Sequence, residues 1–224
     1  MSMAGKIKIV PNGPYLVSGV DNLIEETSRV KDQVLQAVET GTYEHDENYA
    51  LCRCGESANK PFCDGTHRKV GFDGTETASR KAYLDRAYVQ EGPGMDLLDD
   101  DRCAYARFCH RQKGDVWELT DDSQDAESKR EAIEGACACP TGRLTAVDHG
   151  EQVEQEYEPT IAIAQDPMER VSAGIYVRGD IELEAADGTI YERRNRVSLC
   201  RCGASMNKPF CDASHVEIDF NDKE

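Results

Sequence analysis

A sixteen-residue pattern occurs twice in this chain. Cys52-Arg53-Cys54-Gly55-Glu56-Ser57-Ala58-Asn59-Lys60-Pro61-Phe62-Cys63-Asp64-Gly65-Thr66-His67 returns as the stretch from Cys200 to His215, displaced by 148 positions at both ends. The spacing C-x-C-x8-C-x3-H is kept, and so is the intervening Asn-Lys-Pro-Phe. Three thiols and an imidazole in one short loop are ligands for Zn²⁺, copper(I) or iron in a cluster. The spacing suits such a role. Two cysteines separated by one residue can reach one metal ion, and a cysteine and histidine four apart share a face of a helical turn. Asp64 follows the third cysteine, where it can cap that turn. Gly55 and Gly65 allow close backbone approach to an anionic centre, whose sulfides exposed amides could serve as donors. From spacing alone, a structural zinc site is the default for three cysteines and one histidine.

Bulk properties narrow the setting. The chain has 224 residues, enough for two small domains or one larger one, and a formal charge of −17. That charge argues against nucleic acid and anionic membrane surfaces as partners. No apolar run approaches a membrane span. Met1 to Val10 lacks the apolar core of a signal peptide. A soluble, cytoplasmic protein is expected. The ten cysteines fall in three tight groups, two with a histidine at ligand spacing, which in a reducing compartment reads as metal binding and not as cystines.

Around the cysteine loops the pattern is β-like. Residues 7–20 read as short strands broken by Pro11-Asn12-Gly13-Pro14. The segment 13–19 resembles 173–179, and the second copy continues as Ile181, Leu183 and Ala185 before an Asp187-Gly188 turn and Ile190-Tyr191, a hairpin signal. A small β-meander is expected before each loop, with an insertion in the first copy around residues 25–45. Residues 23–39 are ambiguous, with Val30, Val34, Leu35 and Val38 at helix-like spacing. Between the copies, Met95-Leu97-Leu98 reads as a strand and 102–110 as a short helix, with Asp99-Asp100-Asp101 at its N-terminus. Residues 123–136 read as a second helix capped by Asp122 or Ser123 and stopped by Pro140-Thr141-Gly142. The acidic stretch 151–159 reads as a linker.

The blocks Cys63-Asp64-Gly65-Thr66-His67 and Cys211-Asp212-Ala213-Ser214-His215, with Cys-x-Cys-Gly-x-Ser and Asn-Lys-Pro-Phe upstream, resemble the CDGSH iron–sulfur domain. The resemblance covers about 32 residues in two blocks and includes positions that are not ligands. It implies two [2Fe–2S] clusters, one held by Cys52, Cys54, Cys63 and His67 and the other by Cys200, Cys202, Cys211 and His215. Thr66 and Ala213 depart from the family's serine and glycine. An alanine at 213 would be strained if that position needs a positive φ. A neutral imidazole in place of a thiolate should raise the reduction potential. If its second nitrogen faces water, each histidine would also couple electron transfer to a proton and make cluster retention sensitive to acid.

Cys103, Cys109 and Cys139-Pro140-Thr141-Gly142 resemble the single-cluster ferredoxin pattern, with Ala106 where a further cysteine usually stands. This implies a three-ligand [3Fe–4S] cluster, or a [4Fe–4S] cluster if Cys137 joins. Cys137 alternatively is a buried thiol. The alternative for the whole group is buried free thiols in a structural insert. His110, His45 and His149 read as solvated, and Trp117 as packing the middle region. Arg53 and Arg201 either neutralise cluster charge or face solvent.

The expected fold is α+β: a β-rich, pseudo-two-fold pair of CDGSH domains (1–74 and 151–224) around a small ferredoxin-like α/β insert (75–150), paired within a monomer. No nucleotide-binding fingerprint and no catalytic constellation occurs, so the chain is not read as an enzyme. Electron transfer or redox sensing with a separate redox partner protein is the first functional expectation. Iron–sulfur cluster storage, or transfer to an apo acceptor, is the second, and structural zinc binding the third.

Overall fold

The computed structural model describes residues 5–223; Met1–Ala4 of the N-terminal stretch considered above lie outside the described residues. The first part of the chain forms β1 (Lys6–Ile9), β2 (Tyr15–Ser18), β3 (Asn22–Lys31), β4 (Val34–Thr42), β5 (Asn48–Leu51) and α1 (Thr66–Lys69). The middle forms β6 (Tyr88–Gln90), β7 (Asp96–Asp99), β8 (His110–Arg111), β9 (Gly114–Asp115), α2 (Val116–Asp121), α3 (Ala126–Ala138), β10 (Leu144–Asp148) and β11 (Glu151–Val153). The last part forms β12 (Thr160–Asp166), β13 (Val171–Arg178), β14 (Glu182–Glu184), β15 (Arg196–Leu199) and α4 (Ser214–Glu217). No helix among the described residues is long and apolar enough to cross a membrane.

Two sheets make the β-rich core, and each takes strands from both ends of the chain. One has the order β14-β1-β2-β5, the other β15-β13-β12-β3-β4. The borrowed strands pair in parallel: Ile7 lies beside Leu183, and Ile161 beside Leu23. The alternation of β1 and β2 turns Ile7, Ile9, Tyr15 and Val17 inward, where they meet Ile161, Ile163, Ile175 and Val177 of the other sheet. At roughly 1.5–3 kcal/mol for each fully buried aliphatic side chain, this shared layer is the main force holding the two ends of the chain together. Every residue of β12 is buried because both its faces are covered. Ala162 and Ala164, on the far side, pack under Ala106 and Phe108 of the middle region.

The middle region is a smaller α/β unit. The sheet β11-β10-β7-β6 packs Leu97, Leu144 and Ala146 against Val116, Leu119, Ala132 and Ala136 of α2 and α3. The strand expected at 95–98 is β7. The expected second helix is α3, capped by Asp125, whose carboxylate accepts from the Ser128 amide, and not by Asp122 or Ser123. The stretch 151–159 begins as β11 instead of as a free linker.

Two segments differ in kind from expectation. Residues 22–42 are not helical: β3 and β4 form a long hairpin closed by Asp32 and Gln33, both at positive φ. The four valine and leucine positions are β-branched or half-exposed strand residues, and Val30 is largely exposed, so helical spacing had no buried face to serve. Residues 102–109 are not a helix either. Asp101, Tyr105 and Arg107 take positive φ, and Ala104, Ala106 and Phe108 turn inward while Cys103 and Tyr105 turn out. The neighbouring carboxylates do not cap a helix. Asp99 is fully buried and takes a bidentate bond from Arg143 at 2.5 and 2.7 Å, and Asp100 pairs with Arg86 and Arg102. These ties outweigh the local helical preference.

Candidate metal centres

Each cysteine loop is built by the same return of the chain. In the first, the Cys52 amide donates to the Pro61 carbonyl at 2.7 Å and the Cys63 amide to Ala50 at 2.8 Å. In the second, Cys200 donates to Pro209 at 2.8 Å and Cys211 to Ser198 at 2.9 Å. A serine closes the loop from inside: Ser57 donates to the Phe62 carbonyl and Ser205 to that of Phe210. Asp64 accepts from the amides of Ala58 and Thr66, both at 2.9 Å. Asp212 accepts from Met206 and Ser214. The aspartate therefore ties the two arms together, while the cap positions themselves are Gly65 and Ala213, with no side-chain capping bond.

The donors come in pairs. Cys52 and Cys54 sulfurs lie 3.8 Å apart, and Cys200 and Cys202 sulfurs 3.7 Å apart. The Cys63 sulfur is 3.4 Å from His67 Nδ1, and the Cys211 sulfur 3.4 Å from His215 Nδ1. The sulfur separations are far beyond a disulfide bond. Two thiolates on one tetrahedral metal ion stand about 3.8 Å apart, and a thiolate and imidazole about 3.5 Å, from bond lengths of about 2.3 and 2.0 Å. Each loop thus offers two pairs, each shaped for one metal ion, and since no three such donors gather around one point among the described residues, it fits a two-metal group better than a single ion ringed by four donors.

The chemistry of the donors agrees. Burial pushes the Cys54 thiol up to about 11 and the Cys211 thiol up to about 12, so these thiolates need a bound cation to persist at neutral pH. Burial, and then the Arg201 charge, bring the His215 imidazole down to about 4, the neutral form that binds metal. The Gly65 amide points at the Cys63 sulfur at 3.4 Å.

The two loops differ in exposure. Cys63 and His67 are half-buried, whereas Cys200, Cys202 and Cys211 are buried and His215 is 2 % exposed. The expectation that both histidines show a ring nitrogen to water therefore fails at His215. Arg53 and Arg201 are 2 % and 3 % exposed, so neither faces solvent. Arg53 donates to the Gly74 carbonyl at 2.6 Å. Arg201 donates to the carbonyls of Ala173 and Ala164 and pairs with Asp222. Both hold backbone segments against their loops.

Gly65 and Ala213 occupy the same left-handed position, with φ of 87° and 73°, so the strain anticipated at the alanine is present. Nothing lies within 4 Å of a Cβ at Gly65. Ala213→Gly is expected to stabilise the chain by about 0.5 kcal/mol, the relief of about 1–2 kcal/mol less the cost of a freer unfolded chain. Gly65→Ala, the same exchange run in reverse, should destabilise it by about 0.5 kcal/mol. Urea midpoints of the intact chain measure both.

In the middle region, Cys103, Cys109 and Cys139 line one cavity with Ala106, Trp117, Thr141 and Arg143. Burial, with the facing sulfurs of Cys139 and Cys103, pushes the Cys109 thiol up to about 12. The Tyr105 amide donates to the Cys103 sulfur at 3.3 Å, and Thr141 Oγ lies 3.2 Å from the Cys139 sulfur. Cys139 is the residue at which α3 ends, so the helix terminus sets its position. Cys137 is buried on another face, its thiol donating to the Val153 carbonyl at 3.5 Å. Among the histidines, His110 is exposed, as is His149, but His45 is half-buried and stacks on Tyr49 at 4.3 Å. Trp117 packs the middle core and donates to Asp99 at 3.1 Å.

Sequence reasoning passed over the arginines that organise these sites. Arg143 lies over Trp117 beside the cavity. Arg196, buried at the start of β15, donates to the carbonyls of Ala136, Cys137 and Cys139 at 2.7, 2.9 and 2.7 Å, to that of Leu144, and to Glu154. It closes the C-terminus of α3, where the unpaired carbonyls favour a cation. No local pattern marks such a residue.

Comparison with known families agrees with this geometry. A family model described as an iron-binding zinc finger of CDGSH type matches residues 12–68 and 173–216. A model described as a divergent 4Fe-4S mono-cluster matches residues 91–149. No curated protein and no solved structure matches the chain. The chain carries two CDGSH-type iron-binding regions on either side of a divergent single-cluster 4Fe-4S domain.

Proposed function

We propose that this iron–sulfur protein carries three centres and works in one-electron transfer or redox sensing in the cytoplasm. Two [2Fe–2S] clusters would be held by Cys52, Cys54, Cys63 and His67 and by Cys200, Cys202, Cys211 and His215. A [3Fe–4S] cluster would be held by Cys103, Cys109 and Cys139. A [4Fe–4S] cluster there needs a fourth donor, and Cys137 faces away from the cavity. When bound, such clusters supply reversible one-electron chemistry. The carrying observation is the grouping of donors into pairs 3.4–3.8 Å apart.

The chain's own residues set the conditions. Desolvation around His215 keeps its imidazole neutral. Arg143 places a cation beside Cys103, Cys109 and Cys139. We also assign a pseudo-two-fold relation to residues 1–74 and 151–224, with 75–150 inserted. The matching strand orders and the exchange of β3 and β14 support it. The charge of −17 suits a basic redox partner and no nucleic acid. Catalysis of a substrate reaction is not part of this reading.

A second role, cluster donation, has one observation in its favour: the Cys63–His67 pair is half-buried while its counterpart is enclosed. Under an iron chelator the first loop is expected to lose its iron well before the second, followed by visible absorbance in Cys63→Ser and Cys211→Ser chains.

Native protein should contain about seven irons with matching acid-labile sulfide and show an EPR signal when oxidised, from the [3Fe–4S] centre. Stoichiometric zinc without iron would overturn the proposal. Incubation with an apo-ferredoxin separates the roles: reversible reduction without cluster loss supports electron transfer, and rapid stoichiometric handover supports donation.

A further inference from the structure

The three candidate centres are not spread evenly through the molecule. The loops of the two CDGSH-type regions touch through their backbones. A Cβ on Gly55 would sit 2.6 Å from the Cys202 carbonyl oxygen, and one on Gly203 would sit 2.5 Å from that of Cys54. Tyr15, fully buried, joins the same two loops. Its hydroxyl donates to the Cys200 carbonyl at 2.8 Å, and its ring lies under the Arg53 guanidinium at 5.5 Å.

The second loop also abuts the middle region. The Arg102 guanidinium, adjacent to Cys103 in the chain, lies 4.2 Å from the ring centroid of Phe210, adjacent to Cys211. Arg196 ties the Cys139 carbonyl to β15, the strand that runs into Cys200. Phe108, next to Cys109, packs on β12 and β13, and Gly174 of β13 brings its backbone against Cys211. Among the described residues, no hydrogen bond or cation–π contact joins the Cys63–His67 turn to the 103–109 loop.

We infer that the three centres form a single series in which the second CDGSH-type site is the inner member, linked to the middle site through Arg102 and Phe210 and to the first through Tyr15 and the Gly55–Gly203 contact. This rests on the iron–sulfur reading above and adds an order to it. The inner site is the enclosed one. The outer sites reach the surface, at exposed Cys103 and at half-buried His67. With clusters bound at these residues, a one-electron donor protein would be oxidised at one end as its electron enters, each site would hold that electron in turn, and a one-electron acceptor protein would be reduced at the other end. No covalent bond is made or broken.

The test uses the full chain, isolated anaerobically and reduced with dithionite, with Cys63→Ser and Cys211→Ser variants. Iron and sulfide counts come first: a wild type without either overturns the iron–sulfur reading itself. With the wild type loaded, each variant keeps one [2Fe–2S] signal and the middle centre. EPR power saturation then reports how close the two are. The Cys63→Ser signal, from the second site, should relax fast beside the paramagnetic middle centre. The Cys211→Ser signal, from the first site, should relax slowly, as if isolated. Equal rates, or the reverse order, overturn the series.

If either serine variant fails to load, Arg102→Met decides the matter without touching a donor. Loss of its charge should lower the midpoint potentials of the middle and second centres and leave the first unchanged. A shift confined to the first centre, or equal in all three, overturns the proposal.

Discussion

Arg196→Met is expected to destabilise the intact chain by about 3–5 kcal/mol, the cost of breaking a buried, fully bonded charge and taking a donor from each of its partners. The side chain is 1 % exposed and gathers four backbone carbonyls and Glu154. Methionine fills much of the space but removes a donor from each of these acceptors, leaving Ala136 with the Cys139 amide, Cys139 with the Gly142 amide and Glu154 with Asn195. Because three of the carbonyls belong to Ala136, Cys137 and Cys139, the Cys139 sulfur should lose its place in the cavity, and iron at the middle site should fall along with stability. Lysine keeps the charge but not the planar fork, so Arg196→Lys should fall between wild type and methionine. Urea midpoints and iron per chain measure both effects. A methionine variant within about 0.5 kcal/mol of wild type, the range typical of surface changes, would show that α3 is held elsewhere.

Gly203→Ala is expected to cost about 2–4 kcal/mol. About 0.5 of this comes from a left-handed alanine, net of the less free unfolded chain, and the rest from overpacking against the Cys54 carbonyl. The residue has φ 83°, and its added Cβ would lie 2.5 Å from a backbone oxygen that cannot swing aside. Gly55→Ala should behave alike, since its φ is 81° and its neighbour is the Cys202 carbonyl. The Gly65→Ala variant is the internal control, sharing the backbone conformation in open space. The excess of Gly203→Ala over that control measures the contact between the two loops. A second readout follows from geometry. One substitution should reduce iron at both CDGSH-type loops, because pushing them apart displaces Cys54 and Cys202 together. Equal urea midpoints for the Gly203 and Gly65 variants would mean that the loops are not pressed together.

Both predictions concern residues whose importance is tertiary, and the same divide runs through the whole chain. The donor sets were legible because ligand chemistry is local: two cysteines one residue apart, and a cysteine and histidine one turn apart, meet wherever the loop is placed. The short strands were legible for the same reason, as Ile7 and Ile9 alternate with lysines and Tyr15 and Val17 flank the exposed Leu16. The helix α2 could have been found. Asp115 and Glu118 form a capping box that the sequence displays openly.

The rest was not local. The hairpin of β3 and β4 turns on Asp32-Gln33, a pair without the glycine that usually announces such a turn. The 102–109 loop has the composition of a helix. It is held open by Arg102 on Phe210, Arg107 on Asp166, and Ala106 and Phe108 against β12 and β13, partners 54 to 108 positions away. Arg53 and Arg201 carry charges that composition assigns to the surface, yet both are buried, donating to the carbonyls of Gly74 and of Ala173 and Ala164.

The sequence by itself determined the candidate donors of the two CDGSH-type loops, because each set lies within one short loop, whereas Cys139 meets Cys103 and Cys109 across 30 or more positions only through the fold. Only the tertiary structure decided how the three sites stand to one another. The exchange of β3 and β14 between the two sheets brings the loops into backbone contact, and Arg196 and Arg102 fasten the middle region to the second of them. Such neighbours are chosen by shared buried surface and by carbonyls in need of donors, which no window of adjacent residues contains.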